Sequence, residues 1–236
     1  MAASLLTRLA EEPGRAAILL DVDGTLAPIV TAPKRASVPA ETKAELERLA
    51  ARYALVACIS GRVGRDVERL VGVDGLAYVG LHGLELDPEA ERYREPIHAF
   101  ADTVDWPVED KGLAVSFHYR GVDDEDAARA QLEQVAERAR NAGLRARFGR
   151  MVLEILPPLD ADKGTAVHHL LEPAGLKRAL YAGDDRTDLD AFRALERLEL
   201  GVRIAVASDE GPGELRETAD LVVDSPAELL GLLGRL

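Results

Sequence analysis

Two aspartates one residue apart follow the first strongly apolar stretch of the chain. Asp21 and Asp23 come directly after residues 16–20, whose continuous apolar character predicts a buried strand, and Gly24 then breaks the pattern. Open α/β sheets bind their ligands at the carboxyl ends of strands. Two carboxylates this close repel each other unless a cation or a shared proton intervenes, and a hard, oxygen-preferring ion such as Mg²⁺ resolves this most simply.

Three further polar clusters each begin or end a predicted element of the same sheet. They are Ser60-Gly61-Arg62, Lys163-Gly164, and the aspartates Asp184, Asp185 and Asp188. Each has a structural explanation when taken alone: a helix cap, a solvated helix start and an acidic loop. Because parallel strands bring their carboxyl ends to one edge of a sheet, we expect all of these clusters to meet beside the first aspartate pair.

The combined set of side chains fits phosphoryl transfer through a covalent aspartyl-phosphate. Asp21 fits the nucleophile, and Asp23 fits the acid that protonates the leaving oxygen and later the base that activates water. Ser60, with backbone amides near Gly24 and Gly61, fits a hydrogen-bond donor to the phosphate. Lys163 fits the cation that balances its charge on the other flank.

Such a site needs a metal that screens the nucleophile from the phosphate's charge. We expect its ligands to be Asp21, Asp184 and Asp23, the last through its main-chain carbonyl. We place Asp185 and Asp188 in the layer behind, where they would hold metal-bound water or the lysine.

Composition narrows the classes of partner. The net charge of −13 over 236 residues argues against nucleic acid and anionic membranes, so the metal and local cations must create any phosphate site. Cys58 is the only cysteine, which excludes an intrachain disulfide and fits a reducing cytoplasm. Residues 1–12 show no signal-peptide or membrane-span pattern. We expect a cytoplasmic monomer.

The elements that must position these residues alternate between strand and helix, which predicts an α/β fold with a parallel sheet and helices on both faces. The predicted strands are 16–20, 54–59, 77–81, 179–182, 203–207 and 221–223. The predicted helices are 2–11, 39–52, 63–71, 163–171, 189–198 and 226–233. Residues 27–38 contain two prolines and no clear period, which predicts a loop or flap.

The pattern changes between residues 87 and 158. Strands predicted at 113–119, 144–148 and 151–156 lie close together, with helices at 96–104 and 123–141. This predicts a small α/β layer with an antiparallel sheet, inserted into the larger domain. We therefore expect a catalytic core formed by 1–86 and 159–236 and a cap, the specificity domain, at 87–158.

Several motifs together resemble the trehalose-6-phosphate phosphatases of the haloacid dehalogenase superfamily. They are Asp21-Val22-Asp23-Gly24-Thr25-Leu26, Ser60-Gly61-Arg62, Leu81-His82-Gly83-Leu84-Glu85, Glu109-x-Lys111, His118-Tyr119-Arg120, Gly149-Arg150-x-Val152-x-Glu154, Asp162-Lys163-Gly164 and the segment 183–192. The resemblance implies a Rossmann-like core with an inserted α/β cap. It also implies Mg²⁺-dependent hydrolysis of trehalose 6-phosphate to trehalose and phosphate, a small sugar phosphate being the partner.

The same resemblance implies a set of substrate-binding residues. Sugar hydroxyls would be bound by Glu109, Lys111, Arg150 and Glu154, and other substrate contacts would come from Gly61, Arg62, His82, His118 and Arg120. His82 could equally stabilise the hinge between core and cap. The chain departs from the family's pattern at Leu189, where a glutamate is usual, and at Arg150, where lysine is common.

Three other functions share parts of this pattern. A phosphatase for sucrose phosphate or for a glucosyl or mannosyl phosphoglycerate would use the same core motifs and differ in the cap. A mutase would keep the aspartyl-phosphate but return the phosphoryl group to a sugar. A receiver module phosphorylated on Asp21 would be smaller and would carry no inserted domain.

Overall fold

The computed structural model of the chain describes residues 2–29, 36–149, 151–207 and 211–236. It divides into two compact units, the first formed by Met1–Leu86 with Ala161–Leu236 and the second by Asp87–Asp160. The second unit thus ends two residues beyond the insertion expected at 87–158. Residues 30–35 of the loop expected at 27–38 lie outside the described residues.

Strands and helices alternate through most of the chain. The strands are β1 Ala17–Leu20, β2 Leu55–Ile59, β3 Ala77–Val79, β4 Val108–Asp110, β5 Val115–His118, β6 Arg145–Gly149, β7 Val152–Leu156, β8 Arg178–Gly183, β9 Leu200–Val206 and β10 Leu221–Val223. The α-helices are α1 Ala2–Glu11, α2 Ala40–Ala50, α3 Gly64–Val71, α4 Arg94–Ala101, α5 Glu125–Asn141, α6 Lys163–Leu171, α7 Asp188–Leu195, α8 Gly213–Thr218 and α9 Pro226–Leu233.

The first unit is built on a parallel sheet of six strands in the order β10-β9-β8-β1-β2-β3. β1 is fully buried because it lies at the centre, between β2 and β8, with helices on both faces. Ile18 and Leu20 face the core packed by α1, α2, α3 and α9. Ala17 and Leu19 face the core packed by α6, α7 and α8. The predicted α/β class is confirmed.

The second unit is a four-stranded antiparallel sheet in the order β4-β5-β7-β6. Its core joins Phe117 and Leu153 on the sheet to Ile97 on α4 and Leu132 on α5, so the two helices cover one face. Because side chains alternate along a strand, the polar residues between these positions lie on the opposite face.

Two local differences from the predicted elements bear on the site. The third strand ends at Val79 rather than near residue 81, because Leu81 and His82 adopt left-handed backbone angles with φ of 51° and 57°. β4 is absent from the predicted set because it is three residues long and exposed, with no apolar run to mark it. Among the helices in the described ranges, none has the length and apolar character needed to cross a bilayer.

Candidate active site

The carboxyl ends of three adjacent strands bring the predicted residues to one edge of the sheet. Asp21 follows β1, Ser60 follows β2 and Asp184 follows β8. The register pairs Leu20 with Cys58 on one side and with Ala182 on the other, so the three strands end nearly level. The backbone of Asp21 is held there by its own N–H, which donates to the carbonyl of Ala182 at 2.9 Å.

Lys163 reaches this edge from the first turn of α6. Asp162 caps that helix, since its side chain accepts from the Thr165 N–H while the Thr165 hydroxyl accepts from the Asp162 N–H. The Lys163 ammonium is buried and donates to Asp21 Oδ1 at 2.8 Å and to Asp188 Oδ1 at 2.6 Å. A buried ammonium between two buried carboxylates is the electrostatic centre of the site.

Asp188 is fully buried and both of its oxygens are occupied. Oδ1 accepts from Lys163 and from the Tyr181 hydroxyl, the latter at 2.7 Å. Oδ2 accepts from the backbone N–H groups of Asp184 and Asp185, both at 2.9 Å. A Cβ on Gly183 would lie 2.1 Å from Asp188 Cγ, so only glycine fits there. Asp188 therefore organises the turn that carries Asp184 and also holds the lysine.

Three aspartates offer oxygens that lie within 4.8 Å of one another: Asp21, Asp184 and Asp188. Burial first, and then the charges of Asp188 and Asp185, raise the pKa of Asp184 to about 7. Burial likewise raises the pKa of Asp21 well above its usual range, although Lys163 opposes the shift. Crowded buried carboxylates with raised pKa values fit a hard divalent cation such as Mg²⁺.

The aspartate group differs from the predicted ligand set, in which Asp23 took the place of Asp188. The predicted Asp23 ligand was its main-chain carbonyl; the Asp23 carboxylate is held by Arg62, whose Nε and Nη2 donate to its two oxygens at 2.6 Å each. With the oxygens of Asp188 already occupied, Asp21 and Asp184 are the side chains best able to ligate a cation. The main-chain carbonyl of Asp23 stays a candidate ligand.

A tight turn brings the first motif against Asp184. Gly24 has a φ of +87°, and a Cβ at this position would lie 2.1 Å from Asp184 Oδ2. The Thr25 hydroxyl, fully buried, donates to Asp184 Oδ1 at 3.3 Å. The glycine and threonine that follow the aspartate pair therefore serve packing and orientation of Asp184, a contact that sequence reasoning did not assign.

Ser60, Gly61 and Arg62 form a loop held by the chain segment 79–85. The Ser60 hydroxyl is buried and accepts from the Arg62 N–H at 3.2 Å. The N–H groups of Leu81 and His82 donate to the carbonyls of Arg62 and Ser60 at 2.8 and 2.9 Å. A Cβ on Gly61 would lie 2.7 Å from His82 Nε2, so the imidazole lies directly against this loop.

Glu85 anchors the same loop and was not among the predicted site residues. Its carboxylate accepts from the N–H of Gly64, the first residue of α3, at 3.0 Å and from the Gly80 N–H, also at 3.0 Å. A carboxylate at a helix N-terminus is electrostatically favourable. The five-residue motif 81–85 thus fixes the loop that carries Ser60 and Arg62.

A polar row crosses the face of the second unit's sheet that lies opposite its two helices. The register aligns Glu109, Ser116, Glu154 and Arg147 from β4 to β6. Glu154 is held from two sides, by Lys111 Nζ at 3.0 Å and by Arg147 Nη2 at 2.6 Å. Sequence reasoning missed Arg147, although alternation with Ala146 and Phe148, which pack against the core, already places it on the polar face.

The remaining predicted sugar-binding residues differ in their contacts. His118 is exposed and its Nε2 lies 2.7 Å from Glu109 Oε2. Arg120 is exposed in a turn and makes no ion pair within the described part of the chain. Arg150 lies outside the described residues. The second unit therefore groups Glu109, Lys111, His118 and Glu154.

The Glu154 ion pairs make the stability of the second unit depend on pH. Burial raises the pKa of Glu154, but Lys111 and Arg147 outweigh it and lower that pKa to about 2. A fall from 4.5 to about 2 corresponds to about 3 kcal/mol. Because the folded pKa is depressed, this stability is present above pH 4.5 and disappears as the pH falls towards 2. Glu154→Gln should therefore destabilise the unit at pH 7 and much less at pH 3.

Urea unfolding monitored by Trp106 fluorescence tests this, since Trp106 is the only tryptophan and lies in the second unit. Glu133→Gln is the matched control, because Glu133 pairs with Arg129 on the solvent-facing side of α5 and should contribute under about 1 kcal/mol. An equal loss for Glu154→Gln at both pH values would contradict the electrostatic explanation.

Comparisons with known proteins agree with this arrangement. The trehalose-phosphatase family model matches residues 19–107 and 106–227. A trehalose-phosphate phosphatase of Mycolicibacterium paratuberculosis is 37% identical over 93% of this chain and 61% of its own length. Probable trehalose-phosphate phosphatase D of Arabidopsis thaliana is 33% identical over 93% of this chain and 66% of its own length.

Solved structures give the same result. A trehalose-6-phosphate phosphatase related protein superimposes with a TM-score of 0.72 at 26% identity, over 92% of this chain and 95% of its own. The Aspergillus fumigatus trehalose-6-phosphate phosphatase gives 0.62 at 26% identity, over 99% and 96% of the two chains. The present chain spans about three fifths of the length of the mycobacterial trehalose-phosphate phosphatases it matches. Because the family model covers most of its length, the chain belongs to the trehalose-phosphatase family.

Proposed function

We propose that this protein is a Mg²⁺-dependent phosphatase that hydrolyses trehalose 6-phosphate to trehalose and phosphate. The observation that carries the proposal is the buried contact of Lys163 with Asp21, at 2.8 Å, beside Asp184 and Asp188. A carboxylate held by an ammonium at a strand end, next to a cation site, fits nucleophilic attack on a phosphate monoester. Membership of the trehalose-phosphatase family supports trehalose 6-phosphate as the substrate.

The proposed reaction has two displacements on phosphorus. An oxygen of Asp21 attacks the phosphorus, the bond from phosphorus to the sugar oxygen breaks, and protonated Asp23 gives its proton to that oxygen. Water then loses a proton to Asp23 and attacks the aspartyl-phosphate, which releases phosphate and restores Asp21. Arg62 occupies both Asp23 oxygens in this structure, so proton transfer requires one of these hydrogen bonds to break.

Other residues of the site would bind the phosphate oxygens and balance negative charge. Lys163 offsets the negative charge of Asp21 as the phosphate approaches. Ser60 and the amides near Gly61, with Arg62, supply donors to the phosphate oxygens. The His82 imidazole lies against Gly61. Asp185 follows Asp184, and its carboxylate accepts from the Thr187 N–H. Mg²⁺ held by Asp21, Asp184 and the Asp23 carbonyl would screen charge and polarise the phosphate.

The polar face of the second unit is proposed to bind the sugar. A disaccharide offers many hydroxyls, and recognising them takes several converging polar groups. Glu109, Lys111 and Glu154 supply carboxylates and an ammonium on one sheet face, with Arg147 fixing Glu154. His118, and by resemblance Arg150 and Arg120, would add contacts at its margin.

Phosphate release from a panel of sugar phosphates tests the function. We expect trehalose 6-phosphate to be hydrolysed with a kcat/KM at least about ten-fold above sucrose 6-phosphate and glucosyl phosphoglycerate, since unpaired polar groups reject a wrong sugar. Excess EDTA should abolish the reaction and Mg²⁺ should restore it. Faster release from another sugar phosphate would reassign the substrate, and an isomerised sugar phosphate without free phosphate would indicate a mutase.

A further inference from the structure

Tyr181 is a buried titratable side chain that the proposed reaction does not use. It lies in β8, two residues before Gly183, and its side chain is fully buried. Its hydroxyl donates to Asp188 Oδ1 at 2.7 Å, and the same oxygen accepts from Lys163 at 2.6 Å. Tyr181 is therefore separated from the nucleophile Asp21 by a chain of two side chains, Asp188 and Lys163.

Core packing alone does not account for a tyrosine at this position. The ring packs edge-on against Phe192, with centroids 6.1 Å apart, and a phenylalanine would make the same contact. A buried hydroxyl is unfavourable unless it is hydrogen-bonded, and here its partner is a buried carboxylate. Burial and the charge of Asp188 raise the pKa of Tyr181 well above its usual range, so it remains a neutral donor.

We propose that Tyr181 is a positioning residue that fixes Asp188 Oδ1 and thereby directs the Lys163 ammonium towards Asp21. The inference rests on the proposed phosphatase function, because it assigns Tyr181 a role in orienting that site's nucleophile. The backbone N–H groups of Asp184 and Asp185 hold only the other oxygen, Oδ2, so the hydroxyl and the ammonium share control of Oδ1.

Removing the hydroxyl changes the balance between the two contacts of Lys163. Asp188 Oδ1 would accept from the ammonium alone and would attract it more strongly. The ammonium would then move towards Asp188 and away from Asp21 Oδ1, which it now contacts at 2.8 Å. Asp21 would lose part of the interaction that holds its oxygen in the attacking position, and small misplacements of reacting groups are costly.

The test is Tyr181→Phe, with hydrolysis of p-nitrophenyl phosphate in Mg²⁺ as the readout. This substrate has no sugar, so the result does not depend on recognition by the second unit. We expect kcat to fall about 10- to 100-fold, the range typical when the partner of a site residue is removed, with KM changed less than about two-fold. Circular dichroism and Tm would report the fold.

Two other tyrosines in the first unit provide matched controls. The Tyr78 hydroxyl donates to the backbone carbonyl of Val73 at 2.6 Å. Tyr78→Phe therefore removes a structural hydrogen bond that involves none of the clustered aspartates. The Tyr53 hydroxyl is buried and makes no hydrogen bond to any residue that the structure describes. We expect both variants to keep the wild-type kcat, with Tm lowered for Tyr78→Phe only.

The outcomes separate this inference from the proposed function. A kcat within about two-fold of wild type for Tyr181→Phe, or a loss matched by Tyr78→Phe, would overturn the positioning role. A wild-type protein that hydrolyses p-nitrophenyl phosphate but not trehalose 6-phosphate would overturn the proposed substrate alone. Full activity of Asp21→Asn on the aryl phosphate would overturn the proposed nucleophile and, with it, the role of Tyr181.

Discussion

Asp21→Asn is expected to abolish phosphate release while leaving the fold in place. The amide has nearly the shape of the carboxylate but cannot form an aspartyl-phosphate, so kcat should fall on the order of 10⁴-fold or more, as when a catalytic unit is broken. Because burial raises the pKa of Asp21, the neutral side chain removes an unfavourable buried charge. We therefore expect the Tm in EDTA to be unchanged or higher.

Steady-state phosphate release and a thermal melt measure the two halves of this prediction. Asp66→Asn is the control, since Asp66 lies on the outer side of α3 in an ion pair with Arg69 and should affect neither quantity by much. Residual turnover above about 1% of wild type in Asp21→Asn would move the nucleophile to another residue.

The fold of the first unit was predictable because its signals are local. Continuous apolar runs marked β1, β2 and β8, and the polar clusters that follow them marked the strand ends. Parallel-strand geometry then implied that Asp21, Ser60 and Asp184 share an edge. β4 was missed because three exposed residues carry no periodicity, and its place in the sheet depends on pairing with β5.

The pairing of side chains within the site was less predictable. Sequence spacing did not predict that the Asp23 side chain is held by Arg62, a residue from the neighbouring strand end. Which of the clustered carboxylates meet depends on the turn at Gly24 and on Gly183, and such close approaches are not encoded in residue type alone. The predicted role of Asp188 near Lys163 agrees with their contact.

Leu189 illustrates a departure that the structure explains. The family's pattern has a glutamate at this position, so the leucine replaces a carboxylate. In the structure Leu189 is 4% exposed and packs with Phe192 in the second core of the first unit. An apolar side chain at this place on α7 therefore contributes burial, and the site keeps its buried carboxylates on Asp184 and Asp188.

Lys163→Met is expected to lose both activity and stability. Methionine fills a similar volume, but Asp21 and Asp188 would then be buried without the ammonium that now contacts both. Breaking a buried ion pair by removing one partner typically costs about 3–5 kcal/mol, and loss of the charge that offsets the proposed nucleophile should lower kcat by about 10³-fold or more. Urea unfolding in EDTA and phosphate release measure the two effects.

The pH dependence of that loss identifies its cause. Without Lys163, burial and the charges of Asp188 and Asp184 hold the folded pKa of Asp21 above its unfolded value, so the folded variant binds more protons than the unfolded chain. Its stability should fall as the pH rises from about 4, and the deficit relative to wild type should be smaller at pH 5 than at pH 8.

Adding Asp188→Asn to Lys163→Met removes one uncompensated charge, and we expect it to recover stability at pH 8 but not activity. A deficit independent of pH, or one that the second substitution leaves unchanged, would show that Lys163 acts through packing rather than charge.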